Sequence, residues 1–490
     1  MRVESSRRTA ARVAVVGGGI SGLAAAYRLR TLLGPVAEIV LVEASQRLGG
    51  ALRTVELGGL PFDVGAEAFL VRRPEAAALV EELGLSAELT HPTAAAPTVR
   101  AGGHIRPLPT RTLLGLPGTV DEVAGLLSAA GLTRLAAEPS TPLHWVPGQD
   151  AAVGTLFRER AGDELVDRLI DPLLGGVYAG RADALGLRAT LPAVATALDH
   201  GAGSLLAAAA TVLGDVPQPG RARPPVFGTL RGGLGRLTDA LAGASAVAIR
   251  LGAPVRDLAR TPHGWRLELG SATRPEHLDA DAVLLAVPAP ALRRLLADPL
   301  PAASKGAEQI EVASSVVVGL ALPVAAAQAL PSASGVLVAA DEPLSVKAFT
   351  YSGRKWAHVC SDRVLLVRGS LGRYGDAPML QRDDAELVKV VRMDLATLTG
   401  VTAAPVATVV ARWGGGLPQY APGHLDAVAA VQRAVAEVPG LAVAGAALHG
   451  VGVPACIGTA DAAARRIAGY LGSAEQLGSP DAARGGTMGS

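Results

Sequence analysis

This 490-residue chain begins with short apolar runs that are separated by glycine-rich turns. The first run, residues 13–16, is apolar and rich in β-branched side chains, which is typical of a buried parallel strand. A glycine-rich turn at 17–22 follows, then an Ala-rich helical pattern at 23–33 and a second strand at 39–42 that ends on Glu43. This order of elements predicts a Rossmann-like β-α-β unit.

The glycines of this turn satisfy G-x-G-x-x-G, a pattern that binds dinucleotides. Gly17 permits a tight turn, Gly19 lets a pyrophosphate approach the backbone, and Gly22 lets the helix pack closely on the sheet. The N–H groups and the positive dipole end of the helix favour phosphate. Glu43 stands at the spacing of an acid that accepts hydrogen bonds from ribose hydroxyls. With all these features in order, we predict a dinucleotide site, although the chain holds 59 glycines.

The remaining pattern predicts a helical middle region and a second sheet. Residues 113–132 and 151–174 are predicted as helices. The segment D-P-L-L-G-G-V-Y-A-G at 171–180 is predicted as a helix end and a glycine-rich turn. Strands are predicted from the alternating or continuous apolar runs at 265–269, 282–287, 314–322, 335–338, 347–351, 363–369, 409–413 and 441–445.

Composition narrows the class of protein. There are 45 Lys and Arg residues against 44 Asp and Glu residues, a net charge of +1, which argues against a nucleic-acid partner. We find no apolar stretch of bilayer length and no signal-peptide pattern, so a cytoplasmic protein is expected, with peripheral membrane contact left open. The two cysteines predict neither a metal site nor a disulfide framework.

Three further motifs indicate a family. R-x-G-G-x-x-R-T at 47–54 and F-D-x-G-A at 62–66, together with the fingerprint, resemble the FAD-binding half of the flavin amine oxidase and protoporphyrinogen oxidase superfamily. Residues 171–180 resemble the D-P-x-x-x-G-V-Y-A-G segment of protoporphyrinogen oxidases and their coproporphyrinogen-oxidising relatives. The resemblance extends from about residue 12 to 472 and is greatest to the soluble bacterial branch.

The resemblance implies an α/β fold (α+β overall) with three parts. They are a discontinuous Rossmann-like FAD-binding domain of the p-hydroxybenzoate hydroxylase/amine oxidase type, an inserted helical domain, and a substrate domain on an antiparallel sheet. The expected bounds are 1–90, 226–290 and 411–472 for the FAD domain, 91–225 for the helical domain, 291–410 for the substrate domain and 473–490 for a flexible tail.

The resemblance also implies site residues. The expected FAD contacts are Gly17, Gly19, Ile20, Ser21, Gly22, Glu43, Ala44, Arg47, Gly49, Gly50, Ala51, Leu52, Gly65, Ala66, Glu67, Val255, Trp413, Gly445, Val451, Gly452 and Val453. The candidate substrate residues are Arg111, Gly175, Tyr178 and Arg354, with Lys355 beside the last. Arg111 and Arg354 could pair with a substrate carboxylate or could be ordinary solvated arginines. We assign no catalytic side-chain base and no metal ligand.

The implied reaction is the six-electron oxidation of coproporphyrinogen III to coproporphyrin III in haem biosynthesis, with oxygen reduced to hydrogen peroxide. Protoporphyrinogen IX is the alternative substrate. An amine or carotenoid-type flavin oxidase and a non-catalytic tetrapyrrole-binding flavoprotein also remain open. A ferrochelatase is the implied downstream partner, and the chain is expected to be a monomer or homodimer.

His449 and Cys456 bear on how the flavin is held. His449 occupies a position where relatives more often carry Asp, which leaves a polar flavin contact there in doubt. Relatives with a cysteinyl flavin carry the cysteine in a segment corresponding roughly to 414–423, which has no Cys here. We therefore expect non-covalent FAD, with Cys456 as a small packing residue.

Non-covalent attachment makes a direct prediction. Denaturing the yellow protein and filtering it should release all the flavin colour into the filtrate, because no covalent bond retains it. The measurement is the visible absorbance of the filtrate and of the washed polypeptide. Colour that stays on the polypeptide would show a covalent link.

Overall fold

A computed structural model describes residues 10–214 and 225–477. The linker between these two ranges and the predicted tail beyond 477 lie outside the described residues. The start of that predicted tail, 473–477, is helical instead, because it continues the helix Val453–Leu477.

A five-stranded parallel sheet forms the centre of the first domain. Its strands, in spatial order, are Ala248–Arg250, Glu38–Val42, Arg12–Val16, Ala282–Leu285 and Leu441–Val443. Alternate side chains of the central strand face opposite sides, Val13 and Val15 one way and Ala14 and Val16 the other. Because both faces are buried, the strand has no polar alternation in sequence.

Helices and a small sheet cover the two faces of this parallel sheet. Ile20–Leu33, Gly235–Ser245 and Val453–Leu477 pack on one face, with Pro74–Glu82 beside them. The other face is covered by the antiparallel strands Val255–Thr261, Gly264–Ser271 and Arg274–Ala280 and by the helices Ala289–Leu296, Pro301–Glu308 and His424–Ala436. The predicted β-α-β unit is confirmed.

A seven-stranded sheet forms the second domain. In spatial order its strands are Ala407–Pro418, Val312–Pro323, Val364–Leu371, Ala348–Thr350, Gly335–Val338, Pro97–Ala101 and His104–Pro107. All neighbours are antiparallel except Gly335–Val338 and Pro97–Ala101, which are parallel. The helix Asp384–Thr399 covers one face. The sheet crosses two predicted domain boundaries, since it takes a hairpin from the predicted helical domain and continues past residue 410.

Three small sheets contain the remaining strands that the structure describes. Thr54–Leu57 pairs with Leu60–Asp63, and Thr112–Leu113 pairs with Leu116–Pro117. Phe227–Leu230 pairs with both Phe69–Leu70 and Leu89–Thr90.

The middle region is helical, but two predicted helices there are wrong in part. Its α-helices are Ala129–Ala137, Val153–Ala161, Asp163–Leu165, Asp171–Tyr178, Leu187–Thr190, Pro192–Asp199 and Leu205–Leu213. The predicted helix 113–132 is instead a hairpin and a 3₁₀ turn before Ala129, because Leu114 and Gly115 adopt positive φ. The predicted helix 151–174 breaks at Gly162, whose φ is +92°, and continues as helix to Tyr178.

A buried ion pair holds the middle region together. Glu138 is 0% exposed and accepts hydrogen bonds from the Arg160 guanidinium at 2.9 Å and from the Leu205 backbone N–H at 2.8 Å. The carboxylate therefore sits at the N-terminus of helix Leu205–Leu213, where the dipole favours negative charge. Arg160 neutralises it in the interior.

Removing Arg160 should destabilise this region. We expect Arg160→Met to lower the free energy of unfolding by about 3–5 kcal/mol, because it leaves the Glu138 charge buried without its partner. Arg266→Met breaks an exposed pair with Asp279 and serves as the control, with an expected loss below about 1 kcal/mol. Urea unfolding followed by circular dichroism measures both. Equal losses in the two variants would contradict the assignment.

Candidate functional site

The glycine-rich turn lies at the carboxyl end of the central strand. The Gly17 N–H donates to Val42 O at 2.8 Å, and its φ is +107°. A Cβ on Gly22 would lie 1.8 Å from Gly17 O, so only glycine lets the helix begin this close to the strand. Ile20 opens that helix and Ser21 is buried in its first turn. The turn therefore presents helix N-terminal N–H groups to an anion.

Glu43 sits at the end of the next strand. Its carboxylate accepts the Gly18 N–H at 2.6 Å and the Ser45 N–H at 2.7 Å. The Glu43 carbonyl accepts the Ala253 N–H at 2.9 Å, which places the chain leading to Val255 beside it. Ala44, next to Glu43, is exposed. These contacts bring together Glu43, Ala44 and Val255, which are predicted to contact one end of the FAD.

The segment 47–54 packs directly on the turn. The Gly49 N–H donates to Gly18 O at 2.8 Å, and Gly19 and Gly49 form a parallel bridge. The Arg47 guanidinium donates to Gly50 O at 3.0 Å and lies 5.7 Å from the Trp413 ring. Ala51 and Leu52 follow, Leu52 buried.

The F-D-x-G-A segment, residues 62–66, contacts both the segment 47–54 and the seven-stranded sheet. The Ala66 N–H donates to Ala51 O at 2.9 Å, and a Cβ on Gly65 would lie 1.9 Å from the same oxygen. The Trp413 indole N–H donates to Val64 O at 2.8 Å, so strand Ala407–Pro418 reaches this segment.

The C-terminal loop, residues 445–452, is the last part of the candidate flavin site. The glycine-rich turn 17–22, Glu43, the segments 47–54 and 62–66 and this loop are together called the cradle. The Gly445 N–H donates to the Thr459 hydroxyl at 3.0 Å. Gly452 O accepts the Cys456 N–H at 3.0 Å where helix Val453–Leu477 begins. Cys456 is buried, and burial raises the pKa of its thiol to about 11 against the effect of a hydrogen bond with Ser21. Exposed His449 is turned toward Gln432, with their Nε2 atoms 2.9 Å apart.

Two glycines of the cradle have open space where others are tightly packed. The nearest atom to a Cβ on Gly19 would be 3.9 Å away, and on Gly445 it would be 4.0 Å away. Gly19 also has an extended backbone with φ −74°, which any residue can adopt. Space beside bare backbone, at a helix N-terminus and opposite an acid, fits a flavin dinucleotide.

A charged cluster follows the F-D-x-G-A segment. The Glu67 carboxylate pairs with the Lys355 ammonium and lies 3.6 Å from Arg368 Nη1. Burial alone would raise the pKa of Glu67, but Lys355 and Arg368 outweigh it and lower that pKa. The neighbouring Asp63 has its pKa raised to about 6, chiefly by burial. Glu67 therefore stays ionised beside Lys355 and Arg368.

Helix Asp171–Tyr178 lies against the seven-stranded sheet, and the region where the two meet is called the cleft. Half-buried Thr350, Arg368 and Ser370 share the sheet face opposite the one that helix Asp384–Thr399 covers. A Cβ on exposed Gly176 would lie 3.7 Å from the Leu337 side chain on this sheet, and Val177 beside it is 41% exposed. The cleft therefore combines small and apolar groups of the helix with polar groups of the sheet.

Helix Asp171–Tyr178 is anchored at its start by residues that the sequence analysis did not identify. The buried Asp171 carboxylate accepts from Arg373 Nη1 at 2.9 Å and from the Ala182 N–H at 2.8 Å. A Cβ on Gly175 would lie 2.6 Å from Arg373 Nη1, so this glycine makes room for the arginine. Arg373 is distant in sequence, and no local pattern indicates the pairing.

The four candidate substrate residues are not all brought together. Gly175 and Tyr178 lie on the cleft helix, with Tyr178 buried and its pKa raised by burial to about 12. The Arg111 Nε donates to Glu122 at 2.8 Å inside the helical region. Arg354 lies in the short helix Ser352–Lys355, and its carbonyl accepts from the Thr93 hydroxyl at 2.6 Å. Their contacts with a substrate stay predictions.

Lys347 is a further buried group near the cleft that was missed. It is 8% exposed, and its ammonium donates to Gly372 O at 2.8 Å. Burial, with Arg373 and Arg368 nearby, lowers the pKa of Lys347 to about 7. A lysine at the start of a strand is ordinarily expected at the surface, so no local pattern indicates the burial of Lys347.

Residues 10–214 and 225–477 contain no group of three His, Cys, Asp or Glu residues placed to hold a metal ion. No helix within these same ranges is long and apolar enough to cross a bilayer.

Comparison with known proteins identifies relatives of the chain. The model of the family described as flavin containing amine oxidoreductase matches residues 20–468. A coproporphyrinogen III oxidase of Mycobacterium tuberculosis H37Rv is 46% identical over 454 residues, covering 92% of this chain and 96% of that protein. A protoporphyrinogen oxidase of Bos taurus is 29% identical over 491 residues, covering 93% and 98%. A solved structure named "Putative protoporphyrinogen oxidase", from Exiguobacterium sp. 255-15, is 31% identical with a TM-score of 0.81, covering 94% and 98%.

Fold, cradle and relatives together define a flavin-dependent oxidoreductase. The chain belongs to the flavin-containing amine oxidoreductase family, within its branch of porphyrinogen oxidases. The predicted resemblance and fold class are confirmed. The assigned contacts of individual residues with the flavin stay predictions.

The spacing around Gly19 gives a test of the cradle. Gly19→Ala should fold normally, because its backbone is extended and its Cβ meets no atom nearer than 3.9 Å, yet bind flavin at least about tenfold more weakly. Gly243→Ala, on a helix with nothing within 4 Å, is the matched control and should bind normally. Flavin titration and thermal melting of the apoproteins measure both. Unchanged flavin affinity in Gly19→Ala would contradict the placement.

Lys347 predicts a pH-dependent stability. Between pH 7 and its ordinary pKa of 10.5, the unfolded chain is protonated at this residue and the native chain is not, so stability rises with pH. In this window, the free energy of unfolding of wild type should rise relative to that of Lys347→Met by up to roughly 1.4 kcal/mol per pH unit. Urea unfolding measures both. Lys389→Met, at an exposed lysine, should show no such gain. A pH-independent difference for Lys347→Met would refute the buried-amine account.

Proposed function

We propose that this protein is an FAD-dependent oxidase that converts coproporphyrinogen III to coproporphyrin III in haem biosynthesis. The observation that carries the proposal is 46% identity over 92% of the chain to a coproporphyrinogen III oxidase. The open cradle and the adjoining cleft under helix Asp171–Tyr178 add a physical basis.

We propose that FAD is the flavin and that it is held without a covalent bond. The pyrophosphate would lie at the N-terminus of helix Ile20–Leu33 beside Gly19, and Glu43 would take the ribose hydroxyls. The isoalloxazine would lie between the segment around Gly65 and the C-terminal loop, next to the cleft. Bound there, FAD would supply the acceptor for hydride from the meso carbons of the substrate.

The chain's own groups would then orient the substrate and exclude water. We assign no side-chain base: Glu67 is paired with Lys355, the Asp63 carboxylate accepts the Leu234 N–H, and Tyr178 is neutral at neutral pH. Pyrrole N–H protons can leave to solvent or by tautomerisation, so the reaction does not require one. Arg368, half-buried on the sheet side of the cleft, would attract a substrate that carries carboxylates.

Coproporphyrinogen III is preferred over protoporphyrinogen IX for two reasons. Coproporphyrinogen carries two more propionates, for which Arg368 would be a partner, and the protoporphyrinogen oxidase of Bos taurus is only 29% identical. Protoporphyrinogen IX remains the second candidate, since that relative still aligns over 93% of the chain.

The remaining partners follow from this chemistry. Molecular oxygen would take the electrons in three two-electron steps and give three molecules of hydrogen peroxide. A ferrochelatase would take up the porphyrin, and the enzyme would act in the cytoplasm as a monomer or homodimer.

Aerobic assays of both porphyrinogens test the proposal. Purified holoenzyme should speed the appearance of porphyrin fluorescence well above autoxidation, with three peroxides per porphyrin. We expect kcat/KM to be at least about tenfold higher for coproporphyrinogen III, a difference of about 1.4 kcal/mol in transition-state binding. Boiled enzyme is the control. No acceleration with either substrate would overturn the function, and a preference for protoporphyrinogen would overturn only the substrate.

A further inference from the structure

The segment P-Q-Y-A-P-G-H, residues 418–424, lies between the two halves of the site. It begins where strand Ala407–Pro418 ends and finishes where helix His424–Ala436 begins. Gln419, Tyr420 and His424 are all buried, at 2%, 2% and 4% exposure. Neither the flavin cradle nor the cleft chemistry described above uses these side chains, so their burial needs another explanation.

On one side this segment holds the cleft helix. The Gln419 side-chain amide donates to Tyr178 O at 2.8 Å, at the last turn of helix Asp171–Tyr178. A Cβ on Gly180 would lie 2.5 Å from Gln419 Oε1, so the glycine permits the approach. The Tyr178 and Tyr420 rings also contact each other, with centroids 5.4 Å apart. The end of the cleft helix is therefore fixed to residues 419 and 420.

On the other side it holds the C-terminal loop of the flavin cradle. The Tyr420 hydroxyl donates to Ala446 O at 2.6 Å and accepts the Gly450 N–H at 2.7 Å. The His424 ring stacks on Tyr420 at 3.8 Å, and its Nε2 lies 3.1 Å from Leu448 O. Burial lowers the pKa of His424 to about 4, so the ring is neutral, and Nε2 must carry the hydrogen because a carbonyl only accepts.

The segment is itself pinned to the helical region, so it acts as a rigid part. The Gly423 N–H donates to Asp150 Oδ2 at 3.0 Å, and Tyr420 O accepts the Gly186 N–H at 2.6 Å. Val451 of the C-terminal loop packs into the same apolar cluster as Tyr178 and Tyr420. A shift of either the C-terminal loop or the cleft helix would therefore displace the rings of Tyr178 and Tyr420.

We propose that Gln419, Tyr420 and His424 are positioning residues that couple flavin binding to tetrapyrrole binding, so that each ligand raises the affinity for the other. The inference rests on the proposed function, because it needs both ligands. Flavin held by the C-terminal loop would set the position of the Tyr420 ring and, through it, the end of the cleft helix. By linkage, tetrapyrrole must strengthen flavin binding by the same factor.

Titrating apoprotein with FAD, with and without coproporphyrin III, measures this coupling. Flavin fluorescence gives the two dissociation constants, and their ratio is the coupling factor. We expect a wild-type factor of about 5 or more, within the usual range for coupled sites. Tyr420→Phe and Gln419→Met should each bring the factor close to one, since each cuts one side of the connection and keeps the side-chain bulk. Tyr470→Phe, on the C-terminal helix, is the matched control and should keep the wild-type factor.

Three outcomes are distinguishable. A factor near one in wild type, or a wild-type factor in both Tyr420→Phe and Gln419→Met, overturns the coupling while leaving the oxidase activity intact. Porphyrin that fails to bind wild type at all, together with absent oxidase activity, overturns the proposed function as well. Thermal melting of each apoprotein shows whether a variant has simply lost its fold. A lower factor in a variant that melts like wild type supports the coupling.

Discussion

The parallel pairing of Arg12–Val16 with Ala282–Leu285 is the contact on which the rest of the molecule depends. The paired residues are about 269 positions apart, and the pairing places the first glycine turn against the end of the later strand. The Ala286 N–H donates to Val16 O, and a Cβ on Gly17 would lie 2.3 Å from Ala286 O. The glycine-rich turn is therefore packed against a strand from a distant part of the chain. Such non-local closure is costly in loop entropy before its contacts are made.

From that sheet the site is extended by successive backbone contacts. Residues 47–54 lie on the first turn, the F-D-x-G-A segment lies on them, and Trp413 brings the seven-stranded sheet to the same place. The cleft helix is then held over the second sheet by the buried Arg373–Asp171 pair. The arrangement explains how a protein without an evident side-chain base can serve oxidation. In the proposed function, its residues would place a flavin and a substrate face to face, and the flavin would supply the electron chemistry.

Local features were predictable from the sequence, and non-local ones were not. The strand, turn and helix of the fingerprint follow from residues within a few positions of one another, as does the hairpin at Gly58 and Gly59. The helix predicted at 113–132 was wrong because left-handed backbone at Leu114, a residue that rarely adopts it, gave no sequence signal. Strand Pro97–Ala101 was missed, although it forms a local hairpin with His104–Pro107, because its place inside the sheet comes from the distant strand Gly335–Val338. Lys347 and Arg373 were missed for the same reason: burial depends on tertiary contacts, not on the residue type.

The most direct test of the central claim is flavin reduction without oxygen. Holoenzyme and coproporphyrinogen III are mixed anaerobically in a stopped-flow instrument, and the flavin absorbance is followed. If the substrate delivers its electrons to the flavin, the yellow colour is lost at least as fast as kcat, and it returns when oxygen is admitted. A flavin that stays oxidised with coproporphyrinogen III, in an enzyme preparation that turns over in air, would contradict the account.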